Sequence, residues 1–395
     1  MKYKDYYWSF FVNVIGIAIA GFAILSFLGC CLDRGSDEYP SPVDASYPGP
    51  AEFFDGNPKL NLTESDSDRV SYLPMIRDDP CVPIGAQIEG YFRGREKWLR
   101  NDSIVEGMIK WSEIEQERGV YDWDTQKDED FKKIDGRPFV LQVKNSPEWA
   151  RKYPEYECSP PKREYFVDYA AFVLALIDRY DDYTDQLYIE VWNEPDVDRT
   201  LIGPYAPYFG CWGEISDPYY GGEYYGQFLA TIYPMIKSER PDVTILAGAL
   251  SLGGGDSTAF WQGAMKYRGN YDGVSYHAYA YYQDGQPGEE NEDWQVIKKK
   301  ATHLRWLGED APLYVTETSL LCNPNWSPCY DPGIHGFRVV QGEYLRHIIR
   351  EVADWDVEFV LWYTIANNGW LNSDLVWQDE PQPAYFEYLD YSCTP

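Results

Sequence analysis

Two glutamates follow apolar runs in the same manner. Leu187-Tyr188-Ile189-Glu190-Val191-Trp192 leads into Asn193-Glu194-Pro195-Asp196, and Leu313-Tyr314-Val315 leads into Thr316-Glu317-Thr318. Two carboxyls set across a cleft can cleave a glycosidic bond. One protonates the leaving oxygen; the other attacks the anomeric carbon when they stand about 5 to 5.5 Å apart, or activates a water when they stand farther apart. The two tasks need different pKa values, which burial and neighbouring hydrogen bonds supply. Asn193 is placed to hydrogen-bond the hydroxyl next to the reacting carbon, a contact that strengthens in the transition state. An Asn-Glu-Pro triplet alone also makes an ordinary strand-end turn, so the chemistry depends on the elements that bring the pair together.

Those elements are legible after Cys81 as short apolar runs alternating with amphipathic stretches. Strands are expected over 82–88, 105–110, 139–143, 187–192, 244–247, 273–276, 313–316 and 359–363. Between them, apolar residues recur at three- and four-residue spacing, most clearly over 165–180, 223–239, 294–307 and 336–353, the period of a helix with one buried face. Eight strands separated by helices give an α/β fold with the rhythm of a (β/α)8 TIM barrel. A doubly wound open sheet shares that alternation but gives no reason for chemistry at the ends of so many strands. In a barrel the reacting groups stand at the C-terminal strand ends, which places Glu194 after the fourth strand and Glu317 after the seventh.

The other strand ends carry His277 and Tyr279 on the sixth, Trp149 on the third and Trp362 on the eighth, with Trp370 in the loop beyond. The indoles either stack on sugar rings, whose apolar faces suit aromatic surfaces, or plug the barrel top. The acidic run from Asp122 to Asp130 reads as a solvated helix face. Gly253-Gly254-Gly255 lacks the Lys-Ser/Thr of a phosphate-cradling loop. No Cys-x-x-Cys or His pairing marks a metal site, and no cofactor is expected.

Charge and composition narrow the partners. With 34 Lys+Arg against 64 Asp+Glu the net charge is −30, the wrong sign for gripping a nucleic-acid backbone. The 35 Tyr and 15 Trp suit an oligo- or polysaccharide partner; the oligomeric state is open. Residues 1–32 read as a targeting segment: Lys2 and Lys4 precede an apolar run from Tyr6 to Gly29 that is long enough to span a hydrocarbon layer, with positive flanks that keep the N-terminus inside. An uncleaved anchor, a lipoprotein signal ending in Phe27-Leu28-Gly29-Cys30 and a cleaved secretion signal all remain open. Each puts the remainder outside the cytoplasm, attached to a membrane or released, and the start has a bacterial look. Residues 33–80, rich in Asp, Ser, Pro and Gly, form an expected linker, and 81–395 the barrel. Six further cysteines suit an oxidising compartment. A closed barrel suggests the pairs Cys322–Cys329 within one loop, Cys158–Cys211 in neighbouring loops and Cys81–Cys393 at the chain ends.

Trp192-Asn193-Glu194-Pro195 followed by Val315-Thr316-Glu317 resembles the large clan of retaining barrel glycosidases, clan A, with both glutamates on strands four and seven. The likeness extends over about 81 to 389. Trp111-Ser112-Glu113-Ile114-Glu115 with Gly119-Val120-Tyr121-Asp122-Trp123, Asn145-Ser146-Pro147-Glu148-Trp149-Ala150 and Asp272-Gly273-Val274-Ser275-Tyr276-His277-Ala278-Tyr279 are similar to strand ends of its β-xylosidase-like, α-L-iduronidase-like and endoglucanase-like members. The resemblance implies Glu194 as acid/base, Glu317 as nucleophile, His277 and Tyr279 as their support, and hydrolysis of a β-linked glycan outside the cell. Transglycosylation on the same site, or a surface protein that binds glycans without cleaving them, are the alternatives. One position departs from the pattern: five residues before the second-strand Trp such relatives carry Lys or Arg, and here stands Glu106. Lys110 lies nearby.

Overall fold

The computed structural model describes residues 81–197, 212–213, 216–253, 257–282, 292–322, 329, 336–366, 370–391 and 393. The segments expected over 1–32 and 33–80 therefore lie outside the described residues, as does Cys211. No helix among the described residues is long and apolar enough to cross a membrane.

Eight parallel strands close in sequence order into one barrel: β1 Ile84–Gln87, β2 Val105–Lys110, β3 Phe139–Lys144, β4 Leu187–Val191, β5 Thr244–Leu250, β6 Gly273–Tyr281, β7 Leu313–Leu321 and β8 Val360–Trp362. Closure is made by β1 pairing with β8, Ile84 opposite Val360 and Ala86 opposite Trp362. All eight strands coincide with expected runs. Four run past their expected ends, β3 by one residue, β5 by three and β6 and β7 by five each; in the last two His277-Ala278-Tyr279-Ala280-Tyr281 and Glu317-Thr318-Ser319-Leu320-Leu321 stay paired up to Tyr281 opposite Leu321. His277, Tyr279 and Glu317 are thus strand residues at the mouth.

The principal helices are α1 Thr125–Phe131, α2 Phe166–Tyr180, α3 Gly222–Glu239, α4 Ser257–Ala264, α5 Val296–Trp306, α6 Phe337–Glu351 and α7 Pro383–Asp390. In α2 the buried positions 166, 169, 170, 173, 176, 177 and 180 trace the three- and four-residue spacing that lays one stripe against the sheet, and Phe172, also buried, stacks on Trp111 and Trp123. The acidic run around α1 is less uniformly solvated than expected. Asp124 caps the helix by accepting from the backbone of Gln126 and Lys127, Asp128 pairs with Arg179, and buried Asp130 accepts from Phe92 N.

Side chains alternate across a strand, so the barrel interior is layered. Toward the N-terminal end it is plugged by Ile104, Val140, Tyr188, Leu246, Tyr314, Phe359 and Leu361. The matching position of β1 is Gly85, where a Cβ would stand 2.1 Å from Ile104 O and 2.6 Å from Leu361 Cδ2, so only glycine fits. Two residues farther along β2, β3 and β4 the same face carries Glu106, Gln142 and Glu190, all fully buried. The apolar plug thus supports a polar layer, and the mouth opens above it.

Two of the expected cysteine pairs are bonded, Cys81–Cys393 and Cys322–Cys329. Cys158 is also disulfide-bonded.

Candidate active site

Glu317 reaches the interior through an irregularity. Tyr314 lies in the inward plug, so plain alternation would turn residue 317 away from it. The β6–β7 pairing runs Tyr276 opposite Val315, then His277 opposite Glu317, which leaves Thr316 as an extra residue on β7. Such a bulge re-aims the next side chains along its strand. Glu317 consequently points inward, while Thr318 points outward and bonds Ala278 O and the Tyr344 hydroxyl of α6.

Glu194 is held by a different device. Trp192 and Glu194 both have positive φ, 81° and 43°, a strained conformation for side-chain-bearing residues that tends to persist at functional sites. Trp192 turns out of the barrel onto Trp212, ring centroids 5.0 Å apart. Glu194 N donates to Ala249 O at 2.9 Å, and buried Asp196 accepts from Ser251 N and Leu252 N at 2.8 and 2.7 Å. Beneath them the Tyr225 hydroxyl of α3 donates to Val191 O and accepts from Gly248 N. The β4 and β5 ends are thereby locked together under Glu194. Asn193 is half-buried at the mouth beside it.

The two carboxyls meet at one imidazole nitrogen. His277 Nδ1 lies 2.9 Å from Glu194 Oε1 and 3.2 Å from Glu317 Oε2. Those oxygens are therefore at most about 6 Å apart, the sum of the two contacts. The Tyr279 hydroxyl donates to Glu317 Oε2, and Gln87 Nε2 donates to Glu317 Oε1 at 3.3 Å. Lys300 of α5 fastens this part of β6 from behind, donating to His277 O at 2.8 Å and Ser251 O at 2.6 Å.

The two carboxyls differ in exposure. The Glu317 side chain is 10% exposed against 20% for Glu194. Burial raises the Glu317 pKa to about 7, with His277 pulling it back down. Burial also opposes charge on His277, but the facing Glu317 and Glu194 outweigh it and set that pKa at about 9. At neutral pH the imidazole is a cation wedged between the two carboxyls.

Glu106 lies in the polar layer below, fully buried, and accepts from Gln87 Nε2 at 3.3 Å. Lys110 does not replace the missing cation, being tied to Glu113 at 3.2 Å and Glu157 at 3.1 Å. The positive charge in contact with Glu317 is His277.

Of the residues expected at the site, the fold gathers Asn193, Glu194, His277, Tyr279 and Glu317, with Trp370 edge-on to Tyr279 at 5.2 Å. It does not gather Trp149 and Trp362. Trp149 donates to Glu115 O and packs edge-on against Trp111 and Tyr165, in the aromatic packing above β2 and β3. Trp362 is fully buried, donates to Ser373 O and lies against Tyr344; an enclosed indole offers no face to a sugar. Since Leu361 points inward, alternation sends 362 outward and 363 inward. Tyr363 takes the expected place, 5.3 Å from the Trp370 ring and donating to Glu89 Oε2 at 2.6 Å. Gln87 and Glu190 were also overlooked; their signal was a polar residue inside an otherwise apolar strand. Among the described residues, no group of three or more His, Cys, Asp or Glu is arranged to hold a metal ion.

No protein-family model matches the chain and no curated protein matches its sequence. Its fold is similar to those of solved glycoside hydrolases. A family 39 glycoside hydrolase from the gut symbiont Bacteroides cellulosilyticus superposes with a TM-score of 0.54 at 20% identity, covering 80% of this chain and 65% of that one. A monomeric β-xylosidase from Caulobacter crescentus gives 0.54 at 18%, covering 78% and 67%. A β-glycosidase gives 0.56 at 13%, covering 81% and 99%. This chain thus spans about two thirds of the length of the first two and nearly all of the third, sharing their barrel.

Proposed function

We propose that this protein is a retaining glycoside hydrolase acting on β-linked glycans. Glu194 is the acid/base and Glu317 the nucleophile. The observation that carries the proposal is the single His277 nitrogen in reach of both carboxyls, which supports a separation near the about 5 to 5.5 Å of a pair that works by direct attack. In the first step Glu317 attacks the anomeric carbon while Glu194 gives its proton to the leaving oxygen, and a glycosyl ester forms on Glu317. In the second, Glu194 takes a proton from water, which attacks the same carbon and frees Glu317. The net result is two inversions.

His277 and Tyr279 hold Glu317 ionised and aimed, and Asn193 bonds the neighbouring sugar hydroxyl. Trp370 and Tyr363 form an aromatic wall for the sugar. No cofactor enters this scheme. β-Xylosidase-like or endo-β-glycanase action is the substrate reading, supported by the barrel shared with a β-xylosidase and a β-glycosidase. The disulfides support an extracytoplasmic location, with residues 1–32 as the membrane or secretion signal.

The test is a screen of the purified protein on aryl β-glycosides and plant or microbial polysaccharides, with the first-formed anomer followed by NMR. Release of the β-anomer is expected; release of the α-anomer from a β-substrate would contradict it.

A further inference from the structure

The polar layer beneath Glu317 is short of hydrogen-bond donors. Gln87 on β1, Glu106 on β2, Gln142 on β3 and Glu190 on β4 are all fully buried. Their amide nitrogens are used: Gln87 Nε2 serves Glu106 Oε1 and Glu317 Oε1, and Gln142 Nε2 serves Glu190 Oε2 at 2.8 Å. That leaves Gln87 Oε1, Glu106 Oε2, Gln142 Oε1 and Glu190 Oε1 buried with no donor among the described residues.

An ionised Glu106 would lack a cation, whereas Glu190 has the His277 imidazolium among its charged neighbours. The charged groups around Glu106 are Glu190 on β4, Glu317 on β7 and, with a weaker effect, Lys144 on β3, and among the described residues no ion pair to Glu106 is formed. An unpaired buried carboxylate costs several kcal/mol, and a second one beside it adds like-charge repulsion. One proton relieves both problems, since it supplies a donor and removes a charge.

We propose that Glu106 holds a proton beside an ionised Glu190, and that Glu106, acting through Gln87, is a positioning residue for Glu317. The pair then carries a single negative charge. Replacement of the expected cation by Glu106 leaves no extra anion next to Glu317, because Glu106 is neutral. Burial and the two neighbouring carboxylates push the Glu106 pKa well above the usual range, in the same direction.

The positioning role rests on the proposed reaction, whereas the protonation of Glu106 does not, so two readouts separate them. Infrared spectra are recorded on the whole protein carrying Glu194→Gln, which removes the acid/base carboxyl that the mechanism keeps protonated, at a pH above about 7, where Glu317 itself is ionised. A carbonyl band of an un-ionised carboxyl is expected there and diminishes when Glu106→Gln is added. Absence of the band, or its full persistence in a folded double variant, overturns the protonated Glu106.

On an active substrate, Glu106→Gln keeps the pair at one negative charge, so the acidic limb of kcat/KM stays where it is. Glu106→Ala leaves Gln87 without its partner and lowers kcat/KM by roughly ten- to a hundredfold. A limb displaced to lower pH in Glu106→Gln would mean that an anion had been removed, and equal activity in parent and Ala variant would remove the positioning role. If no glycan is turned over, the hydrolase reading fails and the infrared result still stands or falls by itself.

Discussion

His277 and Tyr279 stand two residues apart on one strand and reach the same atom, Oε2 of Glu317. Residues at i and i+2 share a face of a strand, so β6 presents a cation and a hydroxyl side by side to one carboxylate oxygen, while Gln87 approaches the other oxygen from β1. Glu317 is thus oriented from two sides of the barrel, and its ionisation depends on the imidazolium.

The first prediction concerns pH. Protonated Glu317 cannot attack, so kcat/KM falls as pH drops through about 7. At the other end His277 gives up its proton near pH 9, so the profile turns down no later than there. An opposite charge at this range depresses a carboxyl by about one to three units. His277→Ala removes the charge that lowers the Glu317 pKa, and its acidic limb moves to higher pH by about that amount. An unmoved limb would remove His277 from the electrostatic account.

Tyr279→Phe deletes one hydrogen bond to an ionised group without changing the ring that packs on Trp370. Such bonds contribute about 1.5 to 3 kcal/mol, so kcat/KM drops roughly ten- to a hundredfold, with the loss in kcat rather than KM. Steady-state kinetics on one aryl glycoside measures it.

Glu194→Ala is predicted to divide substrates by leaving group. Glycosides whose leaving group departs without a proton keep forming the glycosyl-enzyme. Natural glycans lose the general-acid contribution, about 10² to 10⁴ in rate. Equal losses on both would mean that Glu194 is not the proton donor.

The sequence carried most of this architecture, and the shortfalls have local causes. Apolar runs and their helical partners were enough for eight strands and their closure, and the Trp-Asn-Glu-Pro turn located Glu194. For Trp362 the sequence left stacking and packing open, and parity decides between them: Leu361 inward implies 362 outward and Tyr363 at the mouth. The direction of Glu317 was beyond parity, because it depends on a one-residue bulge at Thr316 that pairing with β6 creates and composition does not announce. Gln87, Glu106 and Glu190 were visible as polar residues in apolar strands, but which of them touch is a three-dimensional fact about neighbouring strands.

Stability offers an independent check. The Cys81–Cys393 bridge joins residues 312 apart in sequence, against 7 for Cys322–Cys329. Long closed loops restrict the unfolded chain most, and loss of a native bridge typically costs about 2 to 5 kcal/mol. Cys81→Ser is therefore expected at the upper end of that range in reversible denaturant unfolding and Cys322→Ser at the lower end, since only the former releases the chain ends that β1 and β8 bring together. The reverse order would contradict this.

The most direct test of the central claim is Glu317→Ala with added azide on an activated aryl β-glycoside. Turnover without azide is expected to be lost, and azide, entering the space left by the carboxylate, is expected to restore it with formation of the α-glycosyl azide, a single inversion. Turnover that survives the substitution, or a rescued product of β configuration, would contradict Glu317 as the nucleophile.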